Sequence, residues 1–423
     1  MRLPSGLRAL GHRDYRLFWS GQLVSQTGRW MQSVGQAWLV LELTDSPLRL
    51  GIVNSLQWAP ILLLSFLAGA LADRLPKRQL LLGTQVALML PALSIAALIW
   101  AGSIQYWHVV LMAVVTGIAN TLDMPARQSM VVELVGRDDL MNAIALNSAV
   151  FNAARVVGPA AAGLLIARYG TGIAFFLNGV TFLPVVAALL AMQVETGPRP
   201  RPGPMTDEIT AGLRYALASP VISLLLSLIL IVSVFVVNHN VLVPLVARDV
   251  LHQEVGGFGF LMAALGAGAL LGAILLAQHG QGRPPLAALV AAAIVTSTGI
   301  LSLAVVREVW LAAVLLFVTG AAQILFMASC NTTLQIAAPD ELRGRVMSLY
   351  TLAFAGMSPF GAFLIGSIAE GFGTRTACAV GGGLGLVCVV ALSGRWLLRH
   401  GGARGADSVL IGTRPTPREG GRP

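Results

Sequence analysis

The sequence predicts an all-α polytopic membrane protein of twelve transmembrane helices, built as two parallel six-helix repeats. Of its 423 residues, 56% are hydrophobic and only 11% are charged, whereas soluble domains carry about 25% charged residues. Several apolar runs exceed the roughly 18 residues that mark a membrane-spanning helix. Segments of the first half also recur in the second half. Together these three observations decide the class of protein.

Apolar runs bounded by charged and turn-forming residues divide each half into six spans. In the first half the spans cover residues 17–41, 50–72, 79–101, 107–125, 141–167 and 172–193. In the second half they cover residues 218–244, 256–278, 285–306, 309–331, 344–369 and 375–398. The predicted domains are an N-terminal half, a Pro- and Arg-rich cytoplasmic linker, a C-terminal half and a disordered cytoplasmic tail. Their bounds are 1–194, 195–212, 213–400 and 401–423.

An internal repeat relates the two halves. VTGIANTLDM at Val115–Met124 returns 203 residues later as VTGAAQILFM at Val318–Met327. GLLIARYG at Gly163–Gly170 corresponds to GSIAEGFG at Gly366–Gly373. Because the repeat contains an even number of helices, both halves cross the membrane in the same direction.

Basic residues are distributed unequally between the two sides of the membrane. Of the 28 Lys and Arg residues, 21 fall on the side that carries the termini and only five on the other side. The positive-inside rule therefore predicts a multi-pass protein of the inner (plasma) membrane with both termini in the cytoplasm. The same rule accounts for the net charge of +9. We expect membrane lipid around the protein and no nucleic-acid partner.

No cofactor and no metal site is predicted. The three cysteines (Cys330, Cys378 and Cys388) all fall in apolar segments and none forms a CxxC pair, so they are interpreted as packing residues. There is no GxxxxGK[ST] motif that would bind a nucleotide. Transport by such a protein would have to be driven by an ion gradient.

The first span carries polar residues on one helical face, because they recur every three or four positions. Polar groups survive at membrane depth only against protein or water, so the stripe is predicted to line a hydrated cavity. A seam of hydrogen bonds between helices is one alternative, and a helix lying on the membrane surface is another. An unpaired arginine in dry packing would be costly, which favours the cavity. The predicted cavity residues of this span are Gln22, Gln26, Arg29, Gln32, Ser33 and Gln36.

The fourth span places Asn120, Asp123 and Arg127 on one face, and the last two are spaced to pair directly. Their equivalents 203 residues later, Phe326 and Cys330, are uncharged, so the fold does not require this pair. We therefore favour a role for this pair as a brace or gate near the cytoplasmic end of the span over a role in substrate binding. Asn120 is predicted to line the cavity.

Two residues are candidates for coupling to a proton gradient. Proton antiport needs a titratable group that is reached alternately from each side. Asp123 is the best carboxylate, although a persistent pair with Arg127 would keep it ionised. His239 titrates near neutrality when unperturbed, although a lone membrane histidine is more often a hydrogen-bonded packing residue. Its neighbour Asn238 is predicted to line the cavity.

Arg29 and Arg155 make the interior of the first half positive. An anionic or catecholate-like cargo would suit this charge, and cation–π or hydrogen-bond contacts with a flat amphiphile would suit it too. The alternative for Arg155 is a brace between neighbouring helices.

The second span ends in GALADRLPKR, from Gly69 to Arg78. This stretch resembles the signature between the second and third helices of the major facilitator superfamily, with Pro76 in place of the usual glycine. The resemblance implies the major facilitator fold, with a substrate site between its two halves. It also implies a cytoplasmic gate in which Asp73 faces a helix N-terminus or a nearby arginine, for which Arg127 is the candidate. Gly69 is expected to permit close helix contact. The predicted gate residues are Gly69, Asp73, Arg74, Arg78 and Arg127.

The fifth span contains ARVVGPAAAG, which resembles the Gly-Pro element of exporters in this superfamily, although two alanines replace the paired glycines. Gly158, Pro159 and Gly163 are predicted to form a kinkable, close-packing hinge. The stretches GHRDYRLFWSGQLVSQTG, DMPARQSMVVEL, NAIALNSAVFNAARVVGP and PDELRGRVMSLY together resemble the enterobactin-exporter branch. This resemblance covers about the first 400 residues.

The residues and the resemblance together predict a secondary active transporter and not an enzyme. Its substrate is a small amphipathic molecule, drug- or siderophore-like, exported by proton antiport and alternating access. An uptake permease of the same fold is the alternative, and the Gly-Pro element argues mildly against it. A non-transporting sensor or scaffold would need a larger soluble module, and an intramembrane enzyme would need paired Asp, Ser–His or HExxH groups. A monomer is expected, as is usual for the superfamily.

Overall fold

A computed structural model describes residues 5–193, 213–278, 285–339 and 342–399. In the second helix the side chains of Phe66, Ala70 and residues 72–74 are not described. The predicted linker and tail lie outside the described residues.

In the described residues, twelve long helices, α1–α12, correspond to the twelve predicted spans. They are α1 Arg13–Thr44, α2 Pro47–Arg74, α3 Lys77–Trp100, α4 Tyr106–Val135, α5 Leu140–Tyr169, α6 Gly172–Ala191, α7 Pro220–Val250, α8 Val255–Gln278, α9 Leu286–Ser302, α10 Val309–Ala337, α11 Arg343–Phe372 and α12 Thr374–Arg399. In the described residues ten of them, all except α1 and α9, are long and apolar enough to cross a membrane. The helix α9 has 17 residues, and α1 has 32 residues but carries the polar stripe. No strand occurs in the described ranges.

Each half packs its helices in the same pattern. In the first half α1 contacts α5 and α6, α2 contacts α4, and α3 contacts α4 and α6. In the second half α7 contacts α11 and α12, α8 contacts α10, and α9 contacts α10 and α12. The turns that end α5 and α11 are also equivalent, because Gly170 and Gly373 have positive φ angles of 77° and 85°, a region that glycine enters without a steric penalty. The predicted parallel duplication is confirmed.

The two halves meet mainly through α2 against α11 and α5 against α8. Glycines make both approaches: a Cβ on Gly51 would lie 2.6 Å from the Ala362 carbonyl oxygen, and one on Gly259 would lie 2.6 Å from the Pro159 carbonyl oxygen. Small residues let helix backbones come this close, and the resulting van der Waals contact stabilises helix pairs in membranes. Gly51 and Gly259 both lie near the start of their helices, at the face of the molecule opposite the termini.

Toward the side of the termini the halves separate. The helix α2 packs against α11 mainly from Leu352 onward and not along its first stretch, Arg343–Thr351. Apolar side chains are exposed on the same ends of the interface helices, including Leu67 (60%) on α2 and Met141 (76%) on α5. We infer from these contacts that the cleft between the halves is closed at the opposite face and opens toward the termini.

Two helices of the second half are irregular where their counterparts in the first half are continuous. The helix α7 unwinds at residues 236–238 and ends in a π-helical turn, and α11 contains a π-helical turn at Leu352–Gly356. By contrast, α5 runs through Gly158 and Pro159 without interruption. The helix is therefore unbroken at the predicted hinge. Among the described residues of these four helices, the irregular backbone lies in the second half.

The fourth helix is longer than the sequence predicts. It continues through Pro125 to Val135, although the predicted span ends at residue 125. Proline removes one backbone donor, but its fixed φ is close to the helical value, and packed neighbours let membrane helices tolerate it. Asp123 and Arg127 therefore lie within a continuous helix and not at its end.

Candidate functional site

Three amides of the α1 stripe are sealed inside the first half. Gln22, Gln32 and Gln36 are 6%, 7% and 4% exposed. Gln36 Nε2 donates to Gln57 of α2 at 2.9 Å, and Gln32 Oε1 accepts from Asn178 of α6 at 2.5 Å. These hydrogen bonds satisfy buried amides within one half. These three residues therefore do not line a cavity, as the sequence predicted. They form the alternative, a hydrogen-bonded seam between helices.

The remaining stripe residues, Gln26, Arg29 and Ser33, are partly buried. Ser33 Oγ donates back to the carbonyl oxygen of Trp30 at 2.8 Å. Gln26 makes no side-chain hydrogen bond to another described residue. Among the described residues, Gln26 is thus the member of this group whose side chain has no hydrogen-bond partner.

Asp123 is the centre of a charged network in the first half. Its side chain is 1% exposed, forms an ion pair with Arg127 and lies 3.8 Å from Arg29 Nη1. Its Oδ1 accepts from Thr84 at 3.0 Å and from Gln85 at 2.7 Å, both on α3. The predicted pairing with Arg127 is present, and the sequence assigned none of the other three partners.

Two further contacts tie this network together. Arg127 Nη1 donates to Gln22 Oε1 at 3.0 Å, and Arg29 donates to the Asn120 side-chain oxygen. Asn120, a predicted cavity residue, is thus a partner of Arg29. The network connects α1, α3 and α4 and leaves one carboxylate to serve two arginines.

Arg155 is a half-buried cation of α5 without an acidic partner in the described part of the chain. No described carboxylate lies within 4.0 Å of its guanidinium. Its recorded side-chain contact is a cation–π contact, 5.7 Å from the centre of the Trp30 ring. Together with the network around Asp123, the middle of the first half carries three cations and one acid among its described residues. An anionic group from a ligand would suit this excess.

The second half has a polar contact at an equivalent position. His239 Nε2 lies 3.0 Å from Gln323 Oε1 of α10, and Gln323 stands 203 residues after Asn120. Each half therefore joins its first and fourth helices by a polar bridge. His239 is 6% exposed, and its Nδ1 has no hydrogen-bond partner among the described residues.

Asn238 supports the break in α7. Its Nδ2 donates to the Val234 carbonyl oxygen at 2.8 Å, an acceptor that the break leaves without a helical donor. Asn238 is 4% exposed. The structure therefore places it in helix packing and not on the predicted cavity wall.

Basic residues after the α2–α3 turn are bound within the first half. Arg78 donates to the carbonyl oxygens of Leu189 and Leu190 at 2.6 and 2.7 Å, at the C-terminal end of α6, where the helix dipole favours a cation. Lys77 pairs with Glu133 of α4. Both contacts hold α3 against helices of its own half.

Gly69 does not make the close contact that the sequence predicts for a gate glycine. A Cβ at this position would meet no described atom within 4 Å, and this part of α2 lies where the described halves have separated. The side chains of Asp73 and Arg74, and with them the predicted contact to Arg127, lie outside the described residues.

The Gly-Pro element of α5 provides close packing. A Cβ on Gly158 would lie 2.5 Å from Trp30 Cβ, and one on Gly163 would lie 3.1 Å from Gly259 Cα. Gly158 thus lets α1 pack closely against α5, and Gly163 does the same for α8 of the other half. Pro159, between them, contributes its carbonyl oxygen to the contact with α8.

At the opposite face, charged and polar side chains join the two halves. Glu370, at the end of α11, accepts from Ser46 Oγ at 2.8 Å and from the Leu48 backbone N at 3.1 Å, at the start of α2, where the helix dipole favours a carboxylate. Arg248 of α7 pairs with Asp45 at 3.0 Å. We call Asp45, Ser46, Arg248 and Glu370 the latch. The sequence analysis predicted none of these contacts.

A family model described as "Transmembrane secretion effector" matches residues 4–413. The chain belongs to this family. The resemblance to major facilitator transporters that the sequence motifs indicate is confirmed.

Curated relatives of this family member match most of its length. It is 29% identical over 365 residues to the multidrug efflux pump Tap of Mycolicibacterium fortuitum, covering 83% of this chain and 88% of the relative. It is 24% identical over 382 residues to the staphyloferrin A transporter of Staphylococcus aureus, covering 88% and 94%. It is 26% identical over 395 residues to the enterobactin exporter EntS of Salmonella typhimurium, covering 89% and 91%. The resemblance to the enterobactin-exporter branch is confirmed.

Solved structures share the fold. The nucleoside transporter NupG superposes with a TM-score of 0.73 at 11% identity, covering 90% of this chain and 98% of NupG. A bacterial homologue of the human lysosomal transporter Spinster, in an inward-facing and unoccupied conformation, superposes with a TM-score of 0.70 at 13% identity, covering 96% and 98%. At these identities the likeness shows the fold alone, and the predicted all-α polytopic fold is confirmed.

Removing the shared carboxylate is expected to destabilise the protein. In Asp123→Ala, Arg29 and Arg127 lose their counter-charge, and removing one partner of a buried pair costs about 3–5 kcal/mol. The melting temperature of the purified protein should fall, and Asp123→Ala/Arg127→Leu should recover part of the loss. The control is Asp138→Ala, which changes an exposed acid of the α4–α5 turn. An Asp123→Ala protein that melts with the wild type would contradict the network.

Proposed function

We propose that this protein is a secondary active transporter that exports small amphipathic molecules, drug- or siderophore-like, by alternating access. The observation that carries the proposal is a cleft between two equivalent six-helix halves, closed at one face, with an excess of positive charge beside it. Transporters of this fold bind substrate between the halves and rock the halves around it. The names of relatives that export a siderophore or several drugs support this class of cargo.

We place both termini in the cytoplasm, because 21 of the 28 Lys and Arg residues lie on their side of the membrane, as the positive-inside rule requires. In this orientation the cleft is open to the cytoplasm, and the latch closes the external face. An exporter in this state is ready to take cargo from the cell. The protein is proposed to act as a monomer in the inner membrane, surrounded by lipid and without enzymatic activity.

Export then requires the latch to open. The contacts of Glu370 with Ser46 and of Arg248 with Asp45 must break while the ends of the helices near the termini come together. The Asp45 side chain is 90% exposed, and exposed ion pairs contribute only about 0–1 kcal/mol. A small difference between the two states lets cargo or protons shift the equilibrium.

We propose proton antiport, with His239 as the coupling group. Asp123 is less suited, because two arginines and two neutral donors already surround its carboxylate. In the described part of the chain, His239 has a ring nitrogen, Nδ1, without a hydrogen-bond partner, beside the break in α7. A proton on Nδ1 would remove the acceptor that the neutral ring offers to cargo. Proton and cargo would then exclude each other at this nitrogen, as antiport requires.

Gradient-driven transport in membrane vesicles tests the proposal. Inside-out vesicles with an acidic interior should accumulate an exported dye, and nigericin should abolish the accumulation. His239→Gln should abolish most of the uphill accumulation, because glutamine carries no titratable group, while downhill exchange continues. The matched control is His252→Asn, which changes an exposed histidine of the α7–α8 turn whose positive φ of 52° asparagine tolerates.

Two outcomes would count against this account of function. Accumulation in right-side-out vesicles alone would identify an uptake permease. Unchanged uphill accumulation in His239→Gln would remove His239 from coupling.

Weakening the latch should favour the outward-open state. Ser55 lies between the halves, with its Oγ 2.6 Å from the Pro359 carbonyl oxygen, so a cysteine introduced by Ser55→Cys reports opening of the external face. In a background without the three native cysteines, adding Glu370→Gln should raise its rate of alkylation by an external, impermeant maleimide. A few-fold increase is expected, since a carboxylate at a helix N-terminus contributes about 0.3–1 kcal/mol.

The matched control for the latch is Glu308→Gln. Glu308 is an exposed acid that precedes α10 at the same face, and it has no recorded contact with the first half in the described residues. Equal alkylation rates in the Glu370→Gln and Glu308→Gln backgrounds would contradict the latch.

A further inference from the structure

Arg155 holds its charge at the seam between the two halves. Its backbone and side-chain stem lie against Gly266 of α8, where any side chain would collide with the Arg155 carbonyl oxygen. Its guanidinium carbon lies 5.7 Å from the centre of the Trp30 ring. Arg29 and Arg127, by contrast, share Asp123. Arg155 is thus a cation at membrane depth whose counter-charge the described part of the chain does not supply, and such a group favours an anionic ligand.

One aromatic ring contacts this guanidinium, and a second ring packs against the first. Trp30 makes the cation–π contact, and Phe151, one turn before Arg155 on α5, packs edge-on against Trp30 with ring centres 5.8 Å apart. Phe151 is 44% exposed and lies on the part of α5 that extends toward the open end of the cleft. A guanidinium beside aromatic faces can bind the anionic group of a flat ligand while the rings pack on its apolar body.

The second half offers a hydrogen-bond acceptor to the same region. Because His239 Nε2 faces the Gln323 side-chain oxygen at 3.0 Å, Nε2 carries the hydrogen of the neutral ring and Nδ1 keeps a lone pair. The residue is 6% exposed, and Nδ1 has no partner among the described residues. Arg155 packs against Gly266 of α8, and the preceding residue, Leu265, packs against Gly320, one turn before Gln323 on α10. A buried acceptor of this kind calls for a donor from a ligand.

We propose that Arg155, Trp30, Phe151 and His239 form a binding subsite for an aromatic anion that also carries a hydroxyl group. The anion binds Arg155, the ring packs beside Trp30 and Phe151, and the hydroxyl donates to His239 Nδ1. This inference rests on the proposed function, because it names the chemical class of the exported cargo. The subsite draws on α1 and α5 from one half and on α7 from the other, so relative motion of the halves changes its geometry.

The probe for this subsite is 4-hydroxybenzoate, and its binding is measured by calorimetry on the full-length protein in lipid nanodiscs. Benzoate lacks the hydroxyl and 4-hydroxybenzamide lacks the charge, so both should bind several-fold more weakly. Arg155→Gln should weaken 4-hydroxybenzoate binding by about tenfold, as expected for a lost charge-assisted hydrogen bond, and should leave 4-hydroxybenzamide unaffected. His239→Leu should abolish the advantage of 4-hydroxybenzoate over benzoate.

Matched variants separate recognition from folding. Arg168→Gln changes an exposed arginine at the far end of α5 and should bind like the wild type. Arg155→Lys keeps the charge and should retain part of the affinity, so it replaces Arg155→Gln if that variant does not fold. Equal binding of the three probes to the wild type, no measurable binding of 4-hydroxybenzoate, or unchanged binding in the folded Arg155 variants would overturn the subsite.

Failure of the subsite and failure of the proposed function are distinguishable. If the subsite is wrong, gradient-driven dye transport in vesicles persists while the order of probe affinities is absent. If export is wrong, the wild type shows no gradient-driven transport while the order of probe affinities is unaffected.

Discussion

One carboxylate organises the charges of the first half. Asp123 is shared by Arg29 and Arg127 and receives two further hydrogen bonds from α3. An ion at membrane depth cannot rely on bulk water, so paired charges and hydrogen bonds must replace hydration. This carboxylate lets α1 and α4 carry two arginines side by side. In the second half the corresponding helices are joined by the neutral contact of His239 with Gln323. One duplicated fold therefore supports a charged bridge between its first and fourth helices in one half and a neutral bridge in the other.

The same asymmetry extends to the backbone. The helices α1 and α5 are continuous, whereas their counterparts α7 and α11 are interrupted or contain π-helical turns. Irregular backbone at membrane depth is tolerated where protein or a wet cavity satisfies it, and Asn238 does so at the break in α7. Glycine contacts between α2 and α11 and between α5 and α8, together with the latch, bring the halves into contact at one face. A firmly braced first half, an irregular second half and contact at one face suit a protein whose halves move against each other.

The helices could be predicted from the sequence, because the membrane dictates the length and composition of a span. Their duplication could be predicted too, because the repeat keeps its spacing from Asn120 to Gln323. The sequence also sufficed for the pairing of Asp123 with Arg127, which follows from helical spacing. Periodicity could not decide where the α1 stripe would face, since amides such as Gln36 meet either water or an amide of another helix depending on packing. The latch joins residues 203 positions apart in one pair and 324 in the other, and no local pattern encodes such contacts. Adjacent polar residues in an apolar span, as at 84–85 on α3, were the available signal for the partners of Asp123.

The distance between the ends of α5 and α8 that lie near the termini tests the central claim most directly. Met141 and Ile274 are both exposed there, and nitroxide labels at these positions report the width of the cleft by double electron–electron resonance in nanodiscs. Alternating access predicts two distance populations: a long one that matches this structure, and a short one that grows when Glu370→Gln weakens the latch. A single unchanged distance in the wild type and in Glu370→Gln, with and without an exported dye, would contradict it.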